Sequence, residues 1–325
     1  MAKKRTGPPS PDRNLAPEQF PGMNRSFYQP VGPHHYLLGR LRGVVLQVVG
    51  HEQLPESFDR EFTLEDLTIK WPFDADEDDT KEREAFLTSE SIVLLHHTAE
   101  AFVRLFLAHR GKPPCPWLRA AGLRNNFASH LKRLGTDLKD PASSEDLMEV
   151  FAGSRTRPED NPMSEDAWTD MAAGLRLLMQ HAVRLLTDDV RLYNAAKHGL
   201  AILPGAASMA FGDQDSPYAV NASGPSVTHL ETGRTSAGEQ WMSKTTWVHP
   251  QMNLTLVSLM CRQIGNLWEV ATARYVEPGT LKIWPMPLEH VRAVLRGGKP
   301  AGTGAVVSVP NMSMTLLYRQ PPQKR

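Results

Sequence analysis

The sequence predicts an α+β fold, mainly α: a helical bundle with an inserted small antiparallel β-meander and a C-terminal β segment. Three observations predict it. Long stretches carry apolar residues at spacings of three and four, the period of a helix with one buried face. One internal stretch, at about 205–248, turns rich in Gly, Ser, Thr and Pro and holds short β-type runs. The apolar fraction of 41% and charged fraction of 22% are those of an ordinary folded domain, and 325 residues can bury a sizeable core.

Residues 1–34 hold seven prolines (Pro8, Pro9, Pro11, Pro17, Pro21, Pro30 and Pro33) and little apolar content, which predicts a disordered Pro-rich tail. Residues 35–275 are expected to form the helical bundle domain around the β-rich insertion, and 276–325 a C-terminal β-containing extension. Tyr36 to Gly50 is apolar with Arg40 and Arg42 interspersed, and its pattern suits helix and strand alike. The acidic run Asp74, Asp76, Glu77, Asp78, Asp79 suits a loop leading into a helix, whose positive end it favours.

A first strong helix is predicted from about Glu84 to Arg110, stopped by Gly111 and by Pro113, Pro114 and Pro116. Its apolar residues cover most of its circumference, so it belongs at the centre of a bundle. A second starts after Ser164, a good N-cap, and repeats Trp168, Met171, Leu175, Leu178, Ala182 and Leu185 on one face. A third spans Asp189 to His198 and ends at Gly199. A fourth, Pro250 to Tyr275, aligns Val257, Met260, Ile264, Leu267, Trp268 and Ala271. Strands are expected at Ser208–Phe211, Tyr218–Val220, Ser226–Leu230 and Gln240–Val248, then at Leu281–Trp284 and at Ala305–Tyr318, broken at Pro310.

Composition excludes several classes. Lys plus Arg and Asp plus Glu both total 36, so bulk DNA coating is not expected, although a local phosphate pocket is compatible with zero net charge. Cys115 and Cys261 are the two cysteines, which rules out paired-thiol zinc sites and a disulfide framework. The proline-rich start lacks the apolar centre of a secretory signal, and the greasiest runs fall short of a membrane span; cytoplasmic localisation without membrane contact is expected. No phosphate-binding GxxxxGK[ST] loop, HExxH or GxSxG pattern is present, and Ser129–Lys132 fits SxxK without its companion motifs. His96, Glu100 and Arg104 stand one turn apart on the first helix. An internal Glu100–Arg104 pair is favoured there over a metal site, since one helix offers two ligands at most. No metal or cofactor is expected.

Arg191-Leu192-Tyr193-Asn194-Ala195-Ala196-Lys197-His198-Gly199 closes the third helix and puts Arg191, Asn194, Lys197 and His198 within two turns. This element resembles the Arg-x(4–6)-His motif of HEPN-type helical bundles, and the helix at Ile92 to Ala108 is similar to their long central helix. The resemblance covers about residues 85–200, not the β-rich segments. It implies metal-independent RNA cleavage or RNA binding in defence or stress response, with a homodimer completing the site. His198 would move protons at neutral pH, while Arg191 and Lys197 would stabilise charge on phosphate. The spacing also occurs at Arg104/His109, Arg124/His130 and Arg176/His181, and at Arg124 a polar residue, Asn125, follows the arginine as the motif asks.

Three other readings stay open, one of them a small-molecule enzyme using His96 and Glu100. Lys197 and His198 suit the negative end of a helix dipole, with Gly199 as left-handed cap and Arg191 pairing with Asp188 or a neighbouring helix. Alternatively the protein is a non-catalytic interaction module, whose β-rich part binds a protein partner through Trp241, Trp247 or Trp284.

Overall fold

A computed structural model describes residues 15–29, 31–49, 62–64, 67–69, 77–188, 190–197, 201–211, 220–235, 238–297 and 313–317. Its helices are α1 (Phe20–Tyr28, after a 3-10 turn at Pro17–Gln19), α2 (Pro33–Val49), α3 (Glu77–His109), α4 (Pro116–Gly122), α5 (Phe127–Asp137), α6 (Ser143–Phe151), α7 (Glu165–Asp188), α8 (Val190–Lys197), α9 (Pro250–Tyr275) and α10 (Leu288–Leu295). The strands are β1 (Phe62–Leu64), β2 (Leu67–Ile69), β3 (Ile202–Phe211), β4 (Val220–Thr235), β5 (Gly238–Trp247) and β6 (Ser313–Leu317). The fold is α+β and mainly α. All strand pairs are antiparallel: β1 with β2, and a four-stranded sheet in the order β3-β4-β5-β6. The C-terminal β segment therefore completes the inserted meander, with Lys244 opposite Thr315.

The chain divides into two compact units: residues 1–35, 100–183 and 261–288, and residues 36–99, 184–260 and 289–325. In the first unit, Phe151 of α6 lies between Phe102 and Phe106 of α3, its ring 5.1 and 6.1 Å from theirs. The predicted face of α7 is inside, with Met171, Leu175 and Leu178 fully buried. Ser164 caps that helix as expected, its hydroxyl accepting from the Ala167 N–H at 3.2 Å.

The structure corrects the reading of the N-terminus. Residues 15–29 and 31–34 are not a disordered tail, whereas residues 1–14 and 30 lie outside the described part. Pro17 and Pro21 sit in the first turns of the 3-10 turn and of α1, and Pro33 begins α2, where a missing N–H costs no helical bond. α1 is held by aromatic contacts that composition does not show. Tyr28 packs edge-on against Trp268 at 5.0 Å and stacks on Tyr275 at 5.9 Å, and Phe27 stacks on Trp117 at 5.4 Å.

Tyr28 also makes a buried hydrogen bond of 2.6 Å with His109 Nε2. His109 Nδ1 lies 2.7 Å from the Leu105 carbonyl, which can only accept. The ring is therefore protonated on Nδ1, and Nε2 accepts from the Tyr28 hydroxyl. Burial, with Arg274 and Arg119 nearby, pushes the His109 pKa down from 6.5 to about 4, against the opposing Leu105 bond. Burial raises that of Tyr28.

In the second unit, α8 lies over β3 and β4. Leu192 and Ala196 join Ile92, Ile202, Val227 and Val248 in one core cluster. Arg40 of α2 donates to His97 Nδ1 at 3.0 Å and pairs with Glu90 of α3. The segment Tyr36 to Gly50, undecided by pattern, is helical through Val49.

Other departures are local. The first helix begins at Glu77, inside the acidic run, rather than at Glu84. Its Thr80–His109 stretch is long and apolar enough to cross a bilayer, and most of its apolar window is buried within the protein. Leu281–Trp284 is not a strand: Asn266 takes both backbone groups of Trp284, accepting its N–H at 2.9 Å and donating to its carbonyl at 2.8 Å. α10 follows at Leu288–Leu295, within the span expected to be β-containing. The 305–312 part of the last expected strand lies outside the described residues.

Two measurements probe this packing. A methyl group on Gly174 of α7 would overlap the Met286 carbonyl oxygen, where the 286–288 segment crosses the helix. Helix propensity favours alanine by about 1 kcal/mol, but the clash is with backbone, which cannot turn aside. Gly174→Ala is therefore expected to lower stability by about 1–3 kcal/mol in chemical denaturation. Gly43→Ala, in open space on α2, should leave stability equal or raised.

The second measurement varies pH. Between about 4 and 6.5 the unfolded chain takes up the His109 proton and the folded chain does not. Stability is thus fully present above 6.5 and falls as pH drops toward 4, by roughly 3 kcal/mol in all for this residue. Denaturation at pH 7, 5.5 and 4.5 should show a shallower slope in His109→Gln. The remainder belongs to other carriers of the same sign, His34 and His229, whose pKa values burial also lowers.

Candidate functional site: the outer face of α8

α8 is two turns long and its sides differ in chemistry. Leu192, Tyr193 and Ala196 are buried, whereas Arg191, Asn194 and Lys197 are exposed. The spacing of three places these polar residues along one solvent face. The structure thus brings together three of the four site residues predicted from sequence. The fourth, His198, follows immediately in the chain and lies outside the described residues, as do Gly199 and the cap expected there.

Arg191 is fixed from below. Its Nη1 donates to the Thr232 carbonyl of β4 at 3.0 Å and lies 3.7 Å from Glu231 Oε2, while its side chain stays 63% exposed. Its partner is thus a strand residue rather than Asp188, which accepts a hydrogen bond from Thr187 at 2.9 Å. One terminal nitrogen is used, so the other edge of the guanidinium is available to an anion. Lys197 folds back over the Tyr193 ring, its Nζ 5.3 Å from the centroid. The same ring stacks on His96 of α3 at 4.9 Å, with the planes 4° apart.

Sequence reasoning missed two residues beneath Arg191. Glu231 and His229 alternate along β4 and therefore share its α8-facing side, with Lys244 of β5 directly opposite His229. His229 Nε2 lies 3.5 Å from Glu231 Oε2, an ion pair when the ring is protonated. Burial lowers the His229 pKa and Lys244 and Arg191 add to the effect, with Glu231 opposing. The period-two spacing of His229 and Glu231 is present in the sequence. Nothing local to it tells that this side of β4 meets α8.

Of the other matches to the spacing, Arg104 and His109 are each committed to a different partner. Arg104 donates to Glu100 at 2.7 Å, the internal pair expected, and lies 3.9 Å over the Phe127 ring, while His109 is committed to Tyr28. His96 gives Nδ1 to the Ile92 carbonyl at 3.0 Å and its ring to Tyr193. His181 is buried on α7. Arg124 and His130 are both exposed. No protein-family model matches the chain, nor does any curated protein or any solved structure.

Proposed function

We propose that the protein binds RNA on the outer face of α8 and cleaves it without a metal ion. The observation that supports this most is the exposed line of Arg191, Asn194 and Lys197, with Arg191 held in place by Thr232 and Glu231. A fixed guanidinium loses little freedom on binding phosphate, and its planar fork suits a phosphodiester. In this reading the RNA 2′-hydroxyl attacks the adjacent phosphorus and the bond to the 5′-oxygen breaks, leaving a 2′,3′-cyclic phosphate and a 5′-hydroxyl. His198 takes the 2′-hydroxyl proton or delivers one to the departing oxygen, while Arg191 and Lys197 meet the charge growing on phosphate. A second copy of the chain, placing another α8 beside the first, would supply the complementary acid or base.

A second reading, the protein-interaction module, is favoured by a separate observation. Leu203, Leu230 and Trp241 are 74%, 60% and 59% exposed, and the register puts them on the sheet face opposite Val227 and His229. Such a group of exposed apolar side chains on one face suits a protein partner. Trp284 is exposed as well, but Trp247 is 5% exposed and gives its indole N–H to the Ala207 carbonyl at 3.0 Å, so it is core rather than anchor.

The first reading is tested by incubating mixed cellular RNA with the purified protein in excess EDTA. Cleavage leaving cyclic phosphate ends is expected, reduced about 100-fold or more in His198→Ala and in Arg191→Ala, and unchanged in His130→Ala. Absence of cleavage across salt and pH would sink it, as would equal activity in His198→Ala. For the second reading, Trp241→Ala should change stability by no more than about 0.5 kcal/mol yet abolish association with a captured protein partner. Trp247→Ala should cost about 3–5 kcal/mol. A full-strength complex formed by Trp241→Ala would remove the sheet face from consideration.

A further inference from the structure

In the first unit, two adjoining cavities of about 370 and 330 Å³ lie among the end of α3, α4 and α5, and share Leu107, Arg119 and His130. The larger adds an apolar wall from Phe20, Leu118 and Leu123. The smaller adds Arg110 and Arg133. The cleft is therefore greasy at one end and cationic at the other, and its volume is in the range of small-molecule sites, roughly 300–1,000 Å³.

The three arginines are not equivalent. Arg110 is already paired: its Nε and Nη1 donate to Asp146 and Asp137, both at 2.7 Å. Arg119 gives Nη1 to the Arg110 carbonyl at 2.6 Å, which fixes its guanidinium at the end of α3 without neutralising it. Among the described residues no carboxylate lies within ion-pair distance of Arg119 or Arg133. Two uncompensated guanidiniums and the exposed His130 ring thus converge on one cavity mouth, with His130 and Arg133 one turn apart on α5. Unpaired cations gathered beside an apolar wall favour an anion that carries an apolar body.

We propose that this cleft is a binding site for a small phosphate monoester with a flat, weakly polar body, of which a nucleoside 5′-monophosphate is the probe of choice. The phosphate sits between Arg119 and Arg133, with His130 as a further donor. The body lies against Leu107, Leu118 and Leu123. The site is separate from the outer face of α8 and does not depend on RNA cleavage there.

Calorimetric titration of the full chain tests it with adenosine 5′-monophosphate, adenosine, inorganic phosphate and octanoate. Saturable one-to-one binding of the monophosphate is expected, with adenosine and phosphate each about tenfold weaker or more, since each lacks half of the contacts. Arg133→Gln, at an exposed residue without an ion pair, should keep its fold by circular dichroism and weaken the monophosphate about tenfold. His130→Gln should weaken it severalfold, and Arg191→Ala should leave it unchanged. The proposal is overturned if the monophosphate does not bind, if Arg133→Gln binds as the wild type does, or if Arg191→Ala abolishes binding. Octanoate binding more tightly than the monophosphate would also overturn it, by showing a site for an aliphatic carboxylate. RNA cleavage by Arg133→Gln is read separately, so failure here leaves the α8 reading intact, and the reverse.

Discussion

The first unit turns on the clasp that Arg110 makes between Asp137 of α5 and Asp146 of α6 at the end of α3. Burial works against the guanidinium's charge, and the two carboxylates more than offset it, raising its pKa above the ordinary value. Around it the charges interlock: Arg155 reaches Asp146 and Glu149, Lys112 pairs with Glu149 at 2.7 Å, and Arg274 donates to the Glu149 carbonyl. Single exposed pairs are worth little, but a network around a half-buried arginine differs, because removing one member strands its partners. The clasp also fixes α5, and α5 carries His130 and Arg133. The cationic mouth of the cleft is thus held in place by an arginine whose own charge is already spent on two carboxylates.

How much of this is legible in sequence follows from the range of the forces involved. α9 is predicted at its observed ends because a proline at N1 and one apolar face decide a helix locally. α7 is legible for the same reason, with Ser164 as its cap. The N-terminal helices are not. Their prolines raise the apparent disorder, although Pro17, Pro21 and Pro33 occupy first turns, and the contacts of Tyr28 with Trp268 and Tyr275 span more than 200 residues of chain. Leu281–Trp284 fails in the opposite way. Its alternation of apolar and polar residues is strand-like, but its backbone is satisfied by the Asn266 side chain instead of a neighbouring strand.

The candidate site divides along the same line. The polar face of α8 can be read from sequence, since three-residue spacing within one helix needs no partner. What holds Arg191 cannot, because Glu231 and Thr232 arrive from a strand about 40 residues later. His130 illustrates the limit of one-dimensional motifs. Spacing couples it to Arg124, whereas the fold sets it at a cleft beside Arg119 and Arg133. Arg119 lies outside any short motif with His130, so no spacing rule would have joined them.

Net neutrality carries a last consequence for both proposed sites. With 36 basic and 36 acidic residues, no long-range field draws a polyanion to this surface. Affinity for phosphate must come from where individual cations are left unpaired. On α8, Arg191 is partly neutralised by Glu231 at 3.7 Å and Lys197 lies over an aromatic ring, so charge there is modest and orientation is its main asset. At the cleft, Arg110 absorbs the nearby aspartates, which leaves Arg119 and Arg133 uncompensated. The same acidic residues that make the chain neutral overall thereby sharpen the contrast between sites: one surface suited to positioning a strand for chemistry, and one pocket suited to holding a compact anion.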